Sequence, residues 1–474
     1  MVVGLVAAAV ALGGNAFRVK LDGEKKIEHA LNRLTFGPRP TGAEAVRKTG
    51  LKKWIDAQLH PERLTENPAL QAKLAPLETL RMNGAELARK YPRRPGAAKK
   101  ASGPAMRKLA AASTEDRRKM LEQYAPPQVV AYDLVEAKLL RAVYSDRQLA
   151  EVLADFWFNH FNVYLDKGAD RYLVTSYERD AIRPRALGNF PDLLRATAQH
   201  PAMLFYLDNW QSVDPKAVAG RGRLAKRARG LNENYARELL ELHTLGVDGG
   251  YTQQDVIEVA RCFTGWTLRV PRGGGEFYFN ERMHDRGEKT VLGVKIRAGG
   301  GLGDGLQVLE IVSQHPSTAR FVSGKLAQRF VADEPPPALV EKMAQTFTKT
   351  GGDLRAVMKT MLDSGEFWSQ GAYRSKMKSP LEMVASAVRS LDAQVDSAFV
   401  LAQAVGRLGQ PLYRKREPTG YSNSSEEWVN TSGLLGRMNF ATALASNQLA
   451  GVKVAPERAE GAGLRLGSPE FQRR

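Results

Sequence analysis

The chain has 474 residues, of which 43% are hydrophobic and 25% charged, as is ordinary for a soluble globular protein of one large or two average domains. Its 69 Lys and Arg against 51 Asp and Glu leave a net charge of +18, which favours acidic partners such as anionic polysaccharide, nucleic acid or an envelope surface. The single cysteine, Cys262, excludes an intrachain disulfide and a cysteine-based zinc cluster.

The first residues resemble a secretory signal. Residues 2–12, VVGLVAAAVAL, form an apolar run that is followed by the small residues GGNA. This pattern predicts a signal peptide over residues 1–16, cleaved after Ala16, and hence a periplasmic or secreted protein. The usual basic segment is missing, because no Lys or Arg precedes Arg18, and an apolar N-terminus that stays attached is the alternative. The run is too short to span a bilayer and no other stretch is long enough, so we expect no transmembrane segment.

The rest of the chain is predicted to be mainly α-helical. We expect a single large multi-helical domain over residues 24–450, with one small β-hairpin insertion, and a polar tail over residues 451–474. Residues 84–127 are rich in Ala, Lys, Arg and Pro (RKYPRRPGAAKKASGPAMRK), which predicts a basic flexible insertion. A second basic loop, residues 213–230, leads into the helix that starts near Leu231. Such a loop is usually only solvated, and guidance of an acidic substrate is the alternative.

A histidine lies in the aromatic segment FWFNHFNV, residues 156–163. On a helical wheel His160 shares the apolar stripe of Leu153 and Phe156, and it therefore points inward. An inward histidine is usually a core residue with one satisfied hydrogen bond. Because His243 also points inward on its own helix, an internal polar pocket where the two meet is the alternative. Further along, Gln-His-Pro recurs around residues 200 and 315, and each Pro suits the first position of a helix.

The stretch of residues 231–268, LNENYARELLELHTLGVDGGYTQQDVIEVARCFTGWTL, carries most of the candidate site. Its first half predicts a helix that Gly246 ends, because glycine accepts the left-handed conformation of a C-terminal cap. Thr252 with Asp255 resembles a capping box for a second helix, roughly 253–263. One face of the first helix, an arc of roughly 140°, gathers five polar residues. They are Glu233, Asn234, Arg237, Glu238 and Glu241.

The convincing β signal follows this stretch. Residues 276–280 (EFYFN) and 289–296 (KTVLGVKI) are aromatic or β-branched, which predicts a β-hairpin over residues 276–296 with His284 and Asp285 projecting at its tip. The glycine-rich residues 299–305, GGGLGDG, lack the Lys and Ser/Thr of a phosphate-binding loop, so we expect no nucleotide site.

Ten short phrases occur in order along the chain. They are LNRLTFGP at 31–38, FWFNHFNV at 156–163, IRPRALGNFPDLL at 182–194, HPAMLFYLDN at 200–209, NENYARELLELHTLGVDGGYT at 232–252, ARCFTGWT at 260–267, HDRGEK at 284–289, HPSTARFVSGKLAQRFVADEPP at 315–336, KSPLEM at 378–383 and LGQPLY at 408–413. In these phrases the chain resembles, over residues 27–449, the bacterial family of unknown function numbered 1800. The resemblance implies an exported, mostly helical protein that accompanies a second exported family resembling sulfatases. It implies no particular reaction, and the insertion at 84–127 matches none of the phrases.

The leading functional hypothesis is an exported hydrolase that cleaves an anionic carbohydrate polymer. Glycosidic cleavage needs two carboxyl groups, one that donates a proton to the leaving group and one that acts as base or nucleophile. The candidate catalytic residues are Glu238, Glu241, Glu233 and Asp248. The candidate substrate-binding residues are Arg237, Asn234, Tyr251, Trp266, His284, Asp285 and His160. No cofactor is expected.

Two alternatives stay open. A metal-dependent enzyme would use His160, His243 and His284, but no HxxxH, HExxH or ExxH spacing supports this, and no metal ligand is assigned. A non-catalytic envelope scaffold would bind a companion exported protein through the basic loops. In that case the polar helix face would be a buried network that fixes helix packing.

Overall fold

The computed structural model describes residues 15–93, 109, 112–218, 230–269 and 275–474, apart from the side chain of Ser432. Residues 1–14 of the predicted signal peptide, the middle of the predicted insertion and most of the predicted basic loop lie outside this part. Where the description begins, the carbonyl of Ala16 accepts a hydrogen bond from the N–H of Gly371 at 3.0 Å, and Phe17 packs on that glycine.

The described residues are mainly α-helical, as the sequence predicts. The helices of the first half are α1 (Gly23–Leu34), α2 (Gly42–Thr49), α3 (Leu51–Leu59), α4 (Pro68–Leu74), α5 (Gly84–Lys90), α6 (Thr114–Tyr124), α7 (Pro126–Tyr144), α8 (Gln148–His160), α9 (Asp170–Ser176), α10 (Phe190–Gln199), α11 (Pro201–Tyr206) and α12 (Pro215–Val218). Those of the second half are α13 (Glu233–Glu238), α14 (Gln253–Cys262), α15 (Leu302–Gln314), α16 (Pro316–Phe330), α17 (Pro337–Lys349), α18 (Leu354–Leu362), α19 (Pro380–Ser390), α20 (Phe399–Arg407), α21 (Thr431–Ala445), α22 (Pro456–Ala459), α23 (Ala462–Gly467) and α24 (Pro469–Gln472).

Shorter helical turns complete the helical part. Two segments of the described part are π-helical, Tyr177–Ile182 after α9 and Leu239–Thr244 after α13. Short 3₁₀ turns occupy Pro61–Arg63, Glu78–Arg81, Arg183–Arg185, Asn209–Gln211, Glu281–Met283 and Ser425–Trp428. The two Gln-His-Pro signals do start helices, because His200 Nδ1 accepts from the N–H of Ala202 and His315 Nδ1 accepts from that of Ser317.

In the described residues, three two-stranded antiparallel sheets accompany the helices. They pair β1 (Trp266–Leu268) with β2 (Phe277–Phe279), β3 (Lys289–Val291) with β4 (Val294–Ile296), and β5 (Gln394–Val395) with β6 (Val452–Lys453). The predicted pairing of 276–280 with 289–296 in one hairpin is therefore wrong. Leu292 and Gly293, with φ of 50° and 77°, form a tight turn that folds β4 back on β3, and the aromatic strand pairs with β1 instead.

The core is built around α7 and α19, which are apolar on most of their circumference and are buried on nearly all sides. Two of the charged side chains on α7 form ion pairs. Lys138 Nζ lies 2.8 Å from Asp155, and Asp133 Oδ2 lies 2.9 Å from Arg118 Nη1. None of the helices in the described part is long and apolar enough to cross a membrane.

Two segments that composition assigns to the periphery are folded. Within the predicted insertion, Thr114–Tyr124 is helix α6, and Leu87, Tyr91 and Leu121 pack in a hydrophobic cluster with Phe399. The predicted polar tail, residues 451–474, holds β6 and α22–α24. Its last residue, Arg474, is buried and donates from Nη2 to the carbonyl of Arg329 at 3.0 Å. The many charged side chains of these two segments predicted a position at the periphery. In the fold, several of them are instead paired inside the domain.

Candidate functional site

The helix that carries the acidic candidates changes pitch half-way. Asn232 caps α13 by accepting from the N–H of Tyr235 at 3.1 Å, and the helix continues as the π-helical Leu239–Thr244. Gly246, with φ of 86°, ends it as predicted. A π-helical turn rotates less per residue than an α-helical one, so beyond Glu238 the wheel used above gives only an approximate direction, which still places His243 inside. Single π turns within α-helices are frequent at functional sites.

Part of the polar face of α13 is tied to the next helix. Gln253 at the start of α14 donates from Nε2 to Glu233 at 2.8 Å and accepts from Arg237 Nη2 at 2.7 Å. Thr252 and Asp255 form the predicted capping box beside it. Glu233 and Arg237 thus join α13 to α14 through one glutamine, which is a structural arrangement.

Glu238 differs from its neighbours on this face. Its carboxyl is half-buried and has no hydrogen-bond or ion-pair partner among the described residues. Burial raises its pKa, and the nearby Glu241 raises the pKa further, against the opposing effect of Arg237. Glu241 in turn accepts from the hydroxyl of Tyr251 at 3.2 Å. Glu238 is therefore the carboxyl of this face that is best placed to hold a proton.

The inner side of the same helix meets His160, as the helical wheel predicts. The two imidazole rings of His160 and His243 lie 6.4 Å apart, and His160 Nε2 is 3.1 Å from the carbonyl oxygen of His243. Because a carbonyl only accepts, Nε2 carries the proton and His160 caps a free carbonyl in the last turn of the helix. Burial lowers the pKa of both histidines, to about 3 for His243, and the charge of Lys325 lowers them further.

His160 also lines a cleft of about 350 Å³, here called the central cleft. Its walls are the end of α8, one face of α16 and the loop that follows α20. The lining residues are Phe156, Asn159, His160, Lys325, Gln328, Lys415, Thr419, Gly420, Tyr421, Ser422, Asn423 and Glu427. Most of these are polar, as in a site that recognises a hydrophilic ligand.

The loop wall of the central cleft is fastened by two asparagines of the FWFNHFNV segment. Asn159 exchanges two hydrogen bonds with the backbone of Tyr421, of 2.7 and 2.6 Å. Asn162 donates to the carbonyls of Lys415 and Glu417 at 3.0 and 2.9 Å. Gly420, with φ of 70°, lies so close to Asn159 that an added Cβ would be 2.2 Å from its carbonyl oxygen. These contacts explain why the aromatic segment carries asparagines at these two positions.

Three predicted substrate-binding residues are not accessible. Trp266 is fully buried between Phe263 and Phe277 and belongs to the core. His284 and Asp285 do not project from a hairpin tip and are also buried. A recognition role for these three residues is therefore discarded, because an intact ligand cannot reach them.

His284 and Asp285 instead belong to a buried ionic network. Asp285 accepts a hydrogen bond from Arg261 Nε at 2.8 Å. Burial raises the pKa of Asp285, but its hydrogen bonds outweigh burial, so the pKa is lowered. Asp304 lies 3.1 Å from His284 Nε2 and 2.6 Å from Lys289 Nζ. The network joins α14, β3 and α15, and it is structural.

The comparisons with known proteins agree with the phrases noted above. A family model described as protein of unknown function, DUF1800, matches residues 29–473. The chain belongs to the DUF1800 family. Comparisons with curated proteins and with solved structures find no match.

The remaining site candidates of this DUF1800 protein lie at the surface. Asp248 is exposed in the turn after α13, and Asn234 is exposed beside a shallow depression that Glu233 also lines. Within the described ranges, no group of three or more His, Cys, Asp or Glu side chains is arranged to hold a metal. Sequence reasoning missed Lys325 and Lys415, because no local pattern marks a lysine that meets the other walls only in the fold.

Proposed function

We propose that this DUF1800 protein is an exported hydrolase that cleaves an anionic carbohydrate polymer, with Glu238 as the proton donor. The proposal rests on one observation above others, a half-buried carboxyl that lacks a partner among the described residues and has a raised pKa. Export is supported by the apolar run at residues 2–12, and an acidic substrate by the net charge of +18.

The chemistry requires a carboxyl that keeps its proton until the glycosidic oxygen needs it. An exposed carboxyl is ionised near neutral pH, whereas burial and a neighbouring carboxylate favour the neutral form. Both influences act on Glu238. The glycosidic C–O bond breaks as Glu238 gives its proton to the leaving oxygen, and water supplies the hydroxyl that replaces it.

Glu241 is the candidate for the second carboxyl group. It lies on the same helix, close enough to raise the pKa of Glu238, and its hydrogen bond from Tyr251 orients it. We assign it the role of base or nucleophile. The anomeric configuration of the product separates the two roles, because a nucleophile gives retention and a base gives inversion.

The test compares Glu238→Gln with wild-type protein on a panel of acidic and neutral polysaccharides, with new reducing ends as the readout. Loss of a general acid lowers the rate by roughly 10²–10⁴-fold. Glu233→Gln is the matched control, because Glu233 is on the same helix but is already bonded to Gln253. Absence of reducing ends across the panel, or an undiminished rate for Glu238→Gln, would refute the proposal.

The scaffold hypothesis is the second candidate, and the Glu233–Gln253–Arg237 connection favours it. A face that only fixes helix packing would lose stability when any of its charged groups is removed. Under that hypothesis Arg237→Ala and Glu238→Gln both lower the melting temperature. Under the hydrolase hypothesis Glu238→Gln keeps or raises it, because an unpaired half-buried carboxyl is removed.

A further inference from the structure

The central cleft holds a cation that has no counterion among the described residues. Lys325 on α16 is half-buried, and burial lowers the pKa of its ammonium group. In the described part of the chain no carboxylate is at ion-pair distance from its Nζ, and the segments outside that part contain no Asp or Glu. The ring of Phe321, whose centre is 5.1 Å from Nζ, offers only a cation–π contact.

The groups around Lys325 cannot balance its charge. His160 and His243 are neutral, and each has a buried ring nitrogen without a hydrogen-bond partner among the described residues, Nδ1 in His160 and Nε2 in His243. Glu427 is the acidic residue on the cleft wall, but it is exposed to solvent and not paired with Lys325. A half-buried ammonium that has lost part of its hydration without gaining a partner is a costly arrangement.

The surroundings of the central cleft add to the positive potential. Lys415 lines the cleft, and its one salt bridge within the described ranges, of 3.3 Å, is to the exposed Glu417. Behind Asn159 and Tyr421 lies a small chamber that shares this wall with the cleft. Two arginines, Arg329 and Arg474, line this chamber with two carboxylates, Glu382 and Asp155, and Asp155 is paired with Lys138. Four more buried cations interact electrostatically with Glu382 or Asp333, so cations outnumber carboxylates there; they are Arg33, Lys376, Lys378 and Arg437. An excess of one sign of charge near a cleft concentrates ligands of the other sign.

We propose that the central cleft binds the acidic group of a carbohydrate unit, a carboxylate or a sulfate, with Lys325 as its counter-charge. Lysine is a compact charge that pairs with either group, and the side chains of Gln328, Ser422 and Asn423 supply polar contacts for the rest of the unit. The proposal that the cleft binds an anion does not depend on the function proposed above. The proposal that this binding positions a polymer for cleavage does depend on it.

The position of the loop links this site to Glu238. The hydroxyl of Tyr206 donates to the carbonyl of Arg416 at 2.6 Å, next to Lys415 of the cleft wall. Burial raises the pKa of Tyr206, and the charge of Glu238 raises it further. Tyr206 therefore connects the loop wall of the central cleft with the electrostatic surroundings of Glu238.

The experiment measures binding of four probes to the full chain by calorimetry. They are a uronate oligosaccharide, a sulfated oligosaccharide, a neutral oligosaccharide of the same length, and inorganic sulfate. We expect wild-type protein to bind an acidic oligosaccharide at least about tenfold more tightly than the neutral one, with sulfate as a competitor. Lys325→Gln loses this preference and Lys325→Arg keeps part of it. Lys349→Gln, the same charge change at an exposed site on α17, leaves it intact.

Three results would overturn the proposal: equal affinity for acidic and neutral probes, an unchanged preference in Lys325→Gln, or no competition by sulfate. Thermal melting of Lys325→Gln guards against misfolding, and Lys325→Arg keeps the test valid if the first variant is unstable. The two proposals fail separately. Binding through Lys325 without any cleavage refutes the hydrolase alone, and cleavage through Glu238 with binding indifferent to Lys325 refutes the anion site alone.

Discussion

Asp170 allows a direct test of how a buried carboxyl without a partner affects the stability of this fold. It is the first residue of α9 and is fully buried, and neither of its carboxyl oxygens has a hydrogen-bond partner in the described ranges. Burial raises its pKa well above the ordinary value, the charge of Lys167 opposes the shift, and Asp208 adds to it. We predict that Asp170→Asn stabilises the protein at neutral pH.

The sign and size of the effect follow from proton linkage. In the unfolded chain Asp170 titrates near 3.8, and in the folded protein it titrates higher, so the folded state binds the extra proton in between. Burial of Asp170 therefore lowers the unfolding free energy only above pH 3.8. This loss of stability grows by about 1.4 kcal/mol per pH unit as the pH rises towards the folded pKa. Ionisation between pH 3.8 and pH 7 therefore costs at most about 4.4 kcal/mol. Asparagine removes this cost without changing the shape.

The assay is thermal melting of wild-type protein and Asp170→Asn from about pH 4 to about pH 8. The variant should melt higher at neutral pH, and the difference should shrink to nothing towards pH 4. Asp192→Asn, an exposed position in the first turn of α10, is the control and should show no such trend. A variant that is less stable at pH 7, or a difference that does not depend on pH, would show that Asp170 has a stabilising partner.

Three further predictions concern histidines and the central cleft. Burial lowers the pKa of His29, His160, His200 and His243. As the pH is lowered, the unfolded chain therefore protonates these histidines before the folded protein does. Urea titrations should show that the unfolding free energy decreases as the pH is lowered from 6.5, by up to about 1.4 kcal/mol per histidine for each pH unit. His315→Ala removes the N-cap of α16 and should cost about 1 kcal/mol in the same assay, with His315→Asn as the control that keeps an acceptor. Gly420→Ala places a Cβ against Asn159 and should lower the melting temperature and abolish ligand binding, whereas Gly409→Ala, also at positive φ but with open space, should leave binding intact.

Local signals were enough to predict much of the fold. The end of the polar helix at Gly246, the capping box at Thr252 and the His-Pro helix starts were all predicted, because each depends on residues only a few positions apart. The inward direction of His160 and His243 followed from helical periodicity in the same way. These features need no knowledge of which helices pack together.

What the sequence did not predict depends on distant partners. The hairpin prediction was wrong because β2 and β3, which follow each other in sequence, do not pair with each other. The strand β2 pairs with β1, and β3 pairs with β4, and each of these partners is nearer in sequence. The π-helical turn after Glu238 has no propensity signal, yet it sets which side chains share a face. The central cleft brings together α8, α16 and a loop more than 250 positions from α8, so Lys325 became a candidate only in the fold.

Charges that hold this fold and charges that fit a functional role differ in whether they have partners. Arg183 lies 2.9 Å from Glu151 and 2.8 Å from Glu178, and removing one member leaves a buried charge unpaired, which costs about 3–5 kcal/mol. Glu238 and Lys325 have no such partner among the described residues, so burial costs them stability that no ion pair offsets. Shifted pKa values without a structural reason cluster at functional sites. We therefore expect the double variant Glu238→Gln/Lys325→Gln to melt no lower than wild type, while Glu178→Gln melts clearly lower. Destabilisation by the double variant would mean that both charges serve packing, and the scaffold hypothesis would then be favoured over an enzyme.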